Sequence, residues 1–190
     1  MNLKALRLFF ALWPDERVRE ELAAVIKRLK QSTSARWVST DKLHMTLAFL
    51  GYVQPDRLGA LIEAAGNVSN LPAFDLVLDR TEFWRGPGII CLGTSSAPDA
   101  LKLLAAELAK NLRVAGFELE TRPFRAHLTL ARKARHLPAD LEFSDPVRWS
   151  VASFCLVESR QEQEGSSYVV LRSWELPGGA RTMPADAPMG

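Results

Sequence analysis

The sequence predicts an α+β fold built on antiparallel sheets. Three stretches have the apolar periodicity of helices, and the short apolar runs between them are joined largely by hairpin-like turns. This order differs from the regular strand-helix alternation of a doubly wound parallel sheet. The chain also lacks a glycine-rich loop of the Walker or dinucleotide-binding type, so nothing in it suggests ATP or NAD as a required cofactor.

The first half begins with a strand over 5–13. A helix over 15–32 follows Pro14, opens with acidic residues and ends with basic ones, as the helix dipole favours. Its apolar residues fall on one face. The elements predicted next are a short strand near 36–39, a strand over 43–50 closed by Gly51, a helix over about 55–68, and strands near 73–84 and 88–94.

The second half repeats this theme with a helix over 98–115 and a strand near 126–132. A hairpin-like pair over 147–158 and 167–176 surrounds the polar stretch 161–165. The residues from 177 to 190 are rich in Pro, Gly and Ala, which predicts a loose C-terminal tail beyond a single domain over 1–176.

Composition indicates a compact body of one domain or two small lobes, because 190 residues with 47% hydrophobic content can bury a substantial core. The net charge is only +2, with 17 arginines and 7 lysines. Cys91 and Cys155 are far apart in apolar runs, so buried free thiols and a reducing cytoplasm are expected. We expect no signal peptide, no membrane span and no obligate protein partner.

One five-residue phrase occurs twice. It is His-Met-Thr-Leu-Ala over 44–48 and His-Leu-Thr-Leu-Ala over 127–131, identical at four of five positions and begun 83 residues apart (127 minus 44). Side chains alternate along a strand, so each copy places its histidine and its threonine on the same face. Each copy therefore presents one imidazole and one hydroxyl together.

Two imidazoles facing one cavity can divide acid and base catalysis near neutral pH. Hydrolysis of a phosphodiester needs such a pair, because water must lose a proton on one side of phosphorus while the departing oxygen gains one on the other. Threonine hydroxyls can donate hydrogen bonds to the non-bridging oxygens. The repeat thus predicts a catalytic set of His44, Thr46, His127 and Thr129.

Simpler interpretations exist for each histidine. A single histidine in an apolar strand is more often a satisfied core residue, although the duplication argues against this. Metal ligation is an alternative, but neither His44 nor His127 has close ligands at the spacing typical of zinc sites, so no metal is expected. The third histidine, His136, lies in a basic loop without the motif and is interpreted as a surface residue.

The motifs and their context resemble the 2H phosphoesterase superfamily, which is defined by paired His-x-Thr-x motifs, and within it the 2'-5' RNA ligase family. The likeness runs nearly end to end. The stretches that carry it are Leu6–Leu12, Arg36–Val38, Leu43–Gly51, Phe124–Arg132 and parts of Ser159–Leu176. The sequence departs from the family at Ala126, where relatives commonly have Pro, and matches only approximately over Thr81–Gly88.

This resemblance implies two pseudo-symmetric lobes with antiparallel sheets flanked by helices, each giving one motif strand to a central cleft. It implies hydrolysis of RNA or nucleotide 2',3'-cyclic phosphates to 2'-phosphomonoesters, and 2'-5' ligation of RNA by reversal. His44 would be the proton donor and His127 the proton acceptor, an order that the symmetric motif itself leaves open. No cofactor is implied.

Three further residues are candidates for substrate binding. Arginine suits phosphate, and Arg125 lies two residues before His127, where it would share its face if the strand begins that early. Arg132 lies three residues after Thr129, so simple alternation turns it away, but the resemblance favours it. Trp84 borders a Gly-Pro loop and is a candidate for stacking on a base.

Two other functions remain open at this stage. One is the same chemistry on another cyclic or 2'-5' linked nucleotide. The other is an RNA- or nucleotide-binding module without catalysis.

Overall fold

The computed structural model describes residues 4–68, 71–136, 145–162 and 165–178. Its first half contains β1 (Leu6–Leu12), α1 (Glu16–Ser32), β2 (Arg36–Trp37), β3 (Met45–Val53), α2 (Leu58–Gly66) and β4 (Phe74–Leu78). Its second half contains β5 (Arg80–Trp84), β6 (Ile89–Gly93), α3 (Asp99–Val114), β7 (His127–Arg132), β8 (Val147–Val151), β9 (Ser153–Glu162) and β10 (Gly165–Glu175). Short 3-10 turns occupy Thr40–Lys42 and Pro55–Arg57.

The strands form two four-stranded sheets and a two-stranded ribbon, in the orders β10-β9-β1-β3, β2-β7-β6-β5 and β4-β8. Every pairing between strands is antiparallel. The predicted α+β class is therefore confirmed. The two large sheets are the centres of two lobes, and each sheet contains one of the two motif strands, β3 or β7.

The topology contains an internal two-fold repeat. In one lobe β8 leads through a single residue into β9, which pairs with β1, and β1 pairs with β3; in the other lobe β4 leads through a single residue into β5, which pairs with β6, and β6 pairs with β7. In chain order, the long helix α1 lies between β1 and β3, and the long helix α3 lies between β6 and β7. The β4-β8 ribbon joins equivalent strands of the two halves.

One large apolar core fills the space between the sheets and the helices. The buried face of α1 is formed by Val18, Leu22, Val25, Ile26 and Leu29. Asp15 caps this helix by accepting a hydrogen bond from the Val18 amide at 2.9 Å. On the opposite face of the first sheet, Phe9, Ala11, Cys155 and Val157 form a second small cluster. Trp13, Tyr168 and Val170 pack against it.

Several predicted boundaries were wrong. The single strands expected over 73–84 and 147–158 are each two strands, divided at Asp79 and Ala152, where the chain passes from the ribbon to a large sheet. The strand expected over 43–50 begins after His44 and continues through Gly51, whose φ of +71° follows a bulge. The helix expected over 55–68 is a 3-10 turn followed by α2.

The hairpin near the C-terminus is longer than expected, because β9 continues to Glu162 and β10 begins at Gly165. Of the tail expected over 177–190, residues 179–190 lie outside the described part of the chain.

Candidate active site

The two motifs meet in one cleft between the sheets. Its lining includes His44, Thr46, His127 and Thr129. The other residues that line it are Arg7, Phe9, Val38, Lys42, Phe49, Arg132, Ser159 and Tyr168. The four residues that the repeat predicted are thus brought together.

Both motif strands have the same irregularity. In β3, Leu47 is an extra residue between the partners of Phe10 and Ala11, and in β7, Leu130 is an extra residue between the partners of Ile90 and Cys91. Each extra residue is a β-bulge, which reverses the alternation of the side chains that follow it. The side chain three residues after each motif threonine therefore returns to the cleft face.

That bulge explains the position of Arg132, which lines the cleft although simple alternation turned it away. Phe49 occupies the equivalent place after Thr46 and lines the cleft as well. The pattern of burial is the same over six residues in the two copies, from His44 to Phe49 and from His127 to Arg132.

The two histidines are oriented by matching hydrogen bonds. The Nδ1–H of His44 donates to the carbonyl oxygen of Lys42 at 2.8 Å, and that of His127 donates to the carbonyl oxygen of Arg125 at 2.8 Å. A carbonyl oxygen only accepts, so the proton of each neutral ring is on Nδ1. Nε2 of each ring is left to exchange protons with a bound molecule.

His44 lies among aromatic rings. It stacks on Trp13 with the ring centroids 5.4 Å apart and the planes 4° apart, and it contacts Phe9 at 4.8 Å and Tyr168 at 5.2 Å. Burial lowers the pKa of His44 to about 4, against the Lys42 hydrogen bond that raises it; the charges of Arg132 and His127 lower it further. His44 is therefore neutral in the free protein near pH 7.

His127 lies in a more polar environment. Its ring packs on Trp84 at a centroid distance of 4.6 Å. Burial lowers the pKa of His127 as well, and the charges of Arg125 and Arg132 lower it further. The hydrogen bond to the Arg125 carbonyl and the carboxylate of Glu82 raise it, but the net shift is downward. A negative charge thus acts on His127, whereas none is among the causes that shift the pKa of His44.

Glu82 organises the surroundings of His127. Its Oε2 accepts a hydrogen bond from Trp84 Nε1 at 3.0 Å and another from Arg125. Burial raises the pKa of Glu82, but the hydrogen bonds of Trp84 and Arg125 and the charges of Arg125 and Arg80 outweigh it and hold the pKa below its usual value. The carboxylate is therefore ionised at neutral pH.

The charged side chains that line the cleft are cationic. Arg7, Lys42 and Arg132 line it together with the two histidines, and no carboxylate does so among the described residues. Arg7 lies over the ring of Phe49, 5.1 Å from its centroid, and its NH1 donates to Ser159 Oγ at 3.4 Å. Cations without bound carboxylates favour an anionic ligand such as a phosphate.

Two of the weaker candidates are placed differently from the motif residues. Strand β7 begins at His127, so Arg125 precedes it, pairs with Glu82 and lies over Trp84 with its guanidinium 5.4 Å from the ring centroid. Neither Arg125 nor Trp84 is among the residues that line the cleft. Trp84 is half-buried against His127, which makes it a support for that ring.

Both cysteines are free and buried. Burial raises the pKa of the Cys91 thiol and of the Cys155 thiol to about 12, so neither provides a thiolate nucleophile at neutral pH. In the part of the chain that the structure describes, no group of three His, Cys, Asp or Glu residues is arranged to hold a metal ion. None of the helices described there is both long and apolar enough to cross a membrane.

The fold and this paired-histidine cleft define a phosphoesterase-like architecture, and the comparison with known families agrees. The model of the LigT-like phosphoesterase family matches two successive segments, 12–91 and 92–168, so the chain belongs to that family. The two matched segments divide the chain much as the internal repeat does.

Individual relatives extend the likeness over nearly the whole chain. The RNA 2',3'-cyclic phosphodiesterase of Escherichia coli K12 is 32% identical, over 90% of this chain and 96% of its own. The protein of the same name from Thermotoga maritima is 29% identical, over 92% and 97%. The crystal structure of E. coli LigT complexed with 3'-AMP has a TM-score of 0.84 at 31% identity, covering 91% of this chain and 99% of that one.

Sequence reasoning missed several residues in and around the cleft, namely Arg7, Lys42, Phe49, Trp13 and Tyr168. Phe49 could have been found, because it follows Thr46 at the same distance as Arg132 follows Thr129. Trp13 and Tyr168 come from distant parts of the chain and have no local signal.

Proposed function

We propose that this protein hydrolyses the 2',3'-cyclic phosphate at RNA ends or on nucleotides to a 2'-phosphomonoester. The observation that carries the proposal is the meeting of two His-x-Thr motifs in one cationic cleft, each with a free imidazole Nε2. The names of the E. coli and Thermotoga relatives support the same substrate.

In the proposed reaction, His127 Nε2 takes a proton from a water molecule whose oxygen attacks phosphorus. The bond from phosphorus to the 3' oxygen breaks, and that oxygen takes the proton held on His44 Nε2. Thr46 and Thr129 donate hydrogen bonds to the non-bridging oxygens, and Arg132 balances their charge. The product has a 2'-phosphate and a 3'-hydroxyl. When a 5'-hydroxyl takes the place of water in the same step, its oxygen bonds to phosphorus, the bond to the 3' oxygen breaks, and a 2'-5' linkage with a free 3'-hydroxyl results.

The surroundings of the two histidines support this order of roles. The low pKa of His44 makes its imidazolium a strong acid, which suits the group that gives a proton to the departing oxygen. Burial lowers the pKa of His127 as well, but the carboxylate of Glu82 acts against this shift, and no such charge acts on His44, which favours His127 as the base. The negative charge of the bound phosphate raises the pKa of His44, so the acid acquires its proton when the substrate is present.

The direct test uses an oligoribonucleotide ending in a 2',3'-cyclic phosphate, with EDTA present. The wild type should release a product carrying a 2'-phosphate, and His44→Ala and His127→Ala should each lose on the order of 10²-fold or more in kcat. His136→Ala, at an exposed histidine outside the cleft, is the matched control. A folded His127→Ala protein with full activity would contradict the mechanism.

A second experiment assigns the acid and the base. In a p-nitrophenyl phosphodiester, the p-nitrophenolate leaving group departs without being protonated. Hydrolysis of this substrate therefore does not need a general acid. The loss in His44→Ala should shrink on this substrate, while the loss in His127→Ala should stay large, because water must still be deprotonated. The opposite pattern would exchange the two roles.

We also propose that 1–176 acts as one functional unit in the cytoplasm. Each lobe provides one histidine, so neither lobe holds a complete catalytic pair. The two free, buried thiols suit a reducing compartment.

A further inference from the structure

A further arginine, Arg36, lies beside the cleft and has no part in the mechanism above. Strand β2 has only two residues, and it pairs with the motif strand β7 so that Arg36 lies opposite Arg132 and Trp37 opposite Ala131. Directly opposed residues of neighbouring strands share a face of the sheet. Arg36 is therefore on the same face as Arg132, which lines the cleft.

A second observation gives the same orientation. Val38 lies two residues after Arg36, lines the cleft, and donates a backbone hydrogen bond to the Leu130 carbonyl at 2.9 Å, which continues the pairing with β7. Alternation puts Arg36 and Val38 on one face. Arg36 is exposed, and its NH2 lies 3.9 Å from where a Cβ on Gly165 would be, so it reaches the β9-β10 hairpin of the other lobe.

The pairing of these two arginines is unfavourable without a ligand. Like charges directly opposite one another on neighbouring strands destabilise a sheet. In the described ranges, neither Arg36 nor Arg132 lies within ion-pair distance of a carboxylate. An arrangement of two unneutralised guanidinium groups at the rim of a cleft is suited to an anion with more than one charge.

We infer that Arg36 binds the internucleotide phosphate that precedes the cyclic end of an RNA strand, so that the site holds two successive phosphates. The inference rests on the proposed function and names its substrate class more narrowly. Arg132 acts on the reacting phosphate, since its charge affects both histidines. Arg36 lies one strand further from the motif, and the Cβ atoms of opposed residues such as Arg36 and Arg132 are about 5 Å apart. The Arg36 side chain extends from there toward Gly165 at the start of β10.

The consequence is a preference for RNA ends over free nucleosides. A nucleoside 2',3'-cyclic phosphate with a 5'-hydroxyl has no second phosphate for Arg36. A dinucleotide with the same cyclic end has one, and a dinucleotide with a neutral methylphosphonate linkage has the same shape without the charge. These three substrates separate the contribution of the second phosphate from that of the second base.

The test measures kcat/KM of wild type and Arg36→Gln on the three substrates. Arg36→Gln should lose about tenfold or more on the dinucleotide and stay within about twofold of wild type on the nucleoside. The wild type should lose a similar factor when the linkage is a methylphosphonate, and Arg36→Gln should lose no more on that substrate. Arg113→Gln, which removes an exposed charge at the end of α3, should behave as wild type.

The outcomes separate the two proposals. If the wild type hydrolyses none of the substrates, the proposed function fails and the inference fails with it. If the wild type hydrolyses the nucleoside but Arg36→Gln loses equally on all three substrates, or on none, the second phosphate site is refuted while the proposed function stands. A wild-type rate that is indifferent to the methylphosphonate would refute the site even if Arg36→Gln does not fold.

Discussion

The low pKa of His44 predicts a specific dependence of stability on pH. The ring is enclosed by Phe9, Trp13 and Tyr168, and its pKa falls from 6.5 to about 4 in the folded protein. Below pH 6.5 the unfolded chain binds a proton at this position that the folded protein resists, so acid favours unfolding. The contribution is absent well above pH 6.5 and grows as the pH falls toward 4.

The magnitude follows from the same pKa. Where the unfolded chain binds one proton more than the folded protein, the free energy of unfolding falls by about 1.4 kcal/mol for each pH unit. Between pH 7 and pH 5, His44 alone therefore lowers it by about 2 kcal/mol. His127 acts in the same direction, because its pKa is lowered too. The two contributions have to be separated by mutation.

Urea unfolding of wild type and His44→Gln at pH 7 and pH 5 makes that separation. The free energy of unfolding of wild type should fall by about 2 kcal/mol more than that of His44→Gln over this interval. His136→Gln, at an exposed histidine, should retain the pH dependence of wild type. Parallel pH dependence in wild type and His44→Gln would show that the aromatic enclosure does not suppress protonation of His44 and would refute the reasoning.

Two further predictions concern the same cleft. Thr46→Val and Thr129→Val should each raise the activation barrier by about 1 to 3 kcal/mol, seen as a loss in kcat with a smaller change in KM, because the hydroxyl acts on charge that builds up in the transition state; an unchanged kcat would remove these residues from the mechanism. Glu82→Gln should lower the pKa of His127 in an NMR titration and Arg125→Gln should raise it, since the two charges act on that ring with opposite signs; shifts of the same sign in both variants would indicate a structural rather than an electrostatic effect.

The motif residues could be predicted because they depend on local alternation alone. Two side chains separated by one residue share a face in any regular strand, so the pairing of His44 with Thr46 and of His127 with Thr129 needed no tertiary information. The repetition of the motif was the reason to expect that both copies face one cleft. The α+β class followed from the mixture of helical periods and short hairpin-linked strands.

Other features depend on pairing between strands, which periodicity does not contain. The bulges at Leu47 and Leu130 reverse the alternation and turn Arg132 into the cleft, yet both residues are ordinary strand formers. The breaks at Asp79 and Ala152 follow the same principle. The backbone N–H of Asp79 donates a hydrogen bond to the Gly93 carbonyl at 3.1 Å, and the Asp79 carboxylate accepts one from the Ser95 N–H. These contacts form only once β5 and β6 are paired.

The internal repeat also explains how a symmetric motif can divide two different tasks. The residue of β9 that pairs with Ala11 is Cys155, and the equivalent residue of β5, which pairs with Cys91, is Glu82. Two residues further along, β9 has Val157 where β5 has Trp84.

The two similar motif strands are therefore supported by apolar residues of β9 in one lobe and by a carboxylate and a tryptophan of β5 in the other. Burial gives His44 a low pKa, which suits an acid once the substrate's charge is present. Burial lowers the pKa of His127 too, but there the carboxylate of Glu82 acts against the shift. The repeat thus provides two matched imidazoles, and the residues that differ between its equivalent strands β5 and β9 make the two imidazoles chemically different.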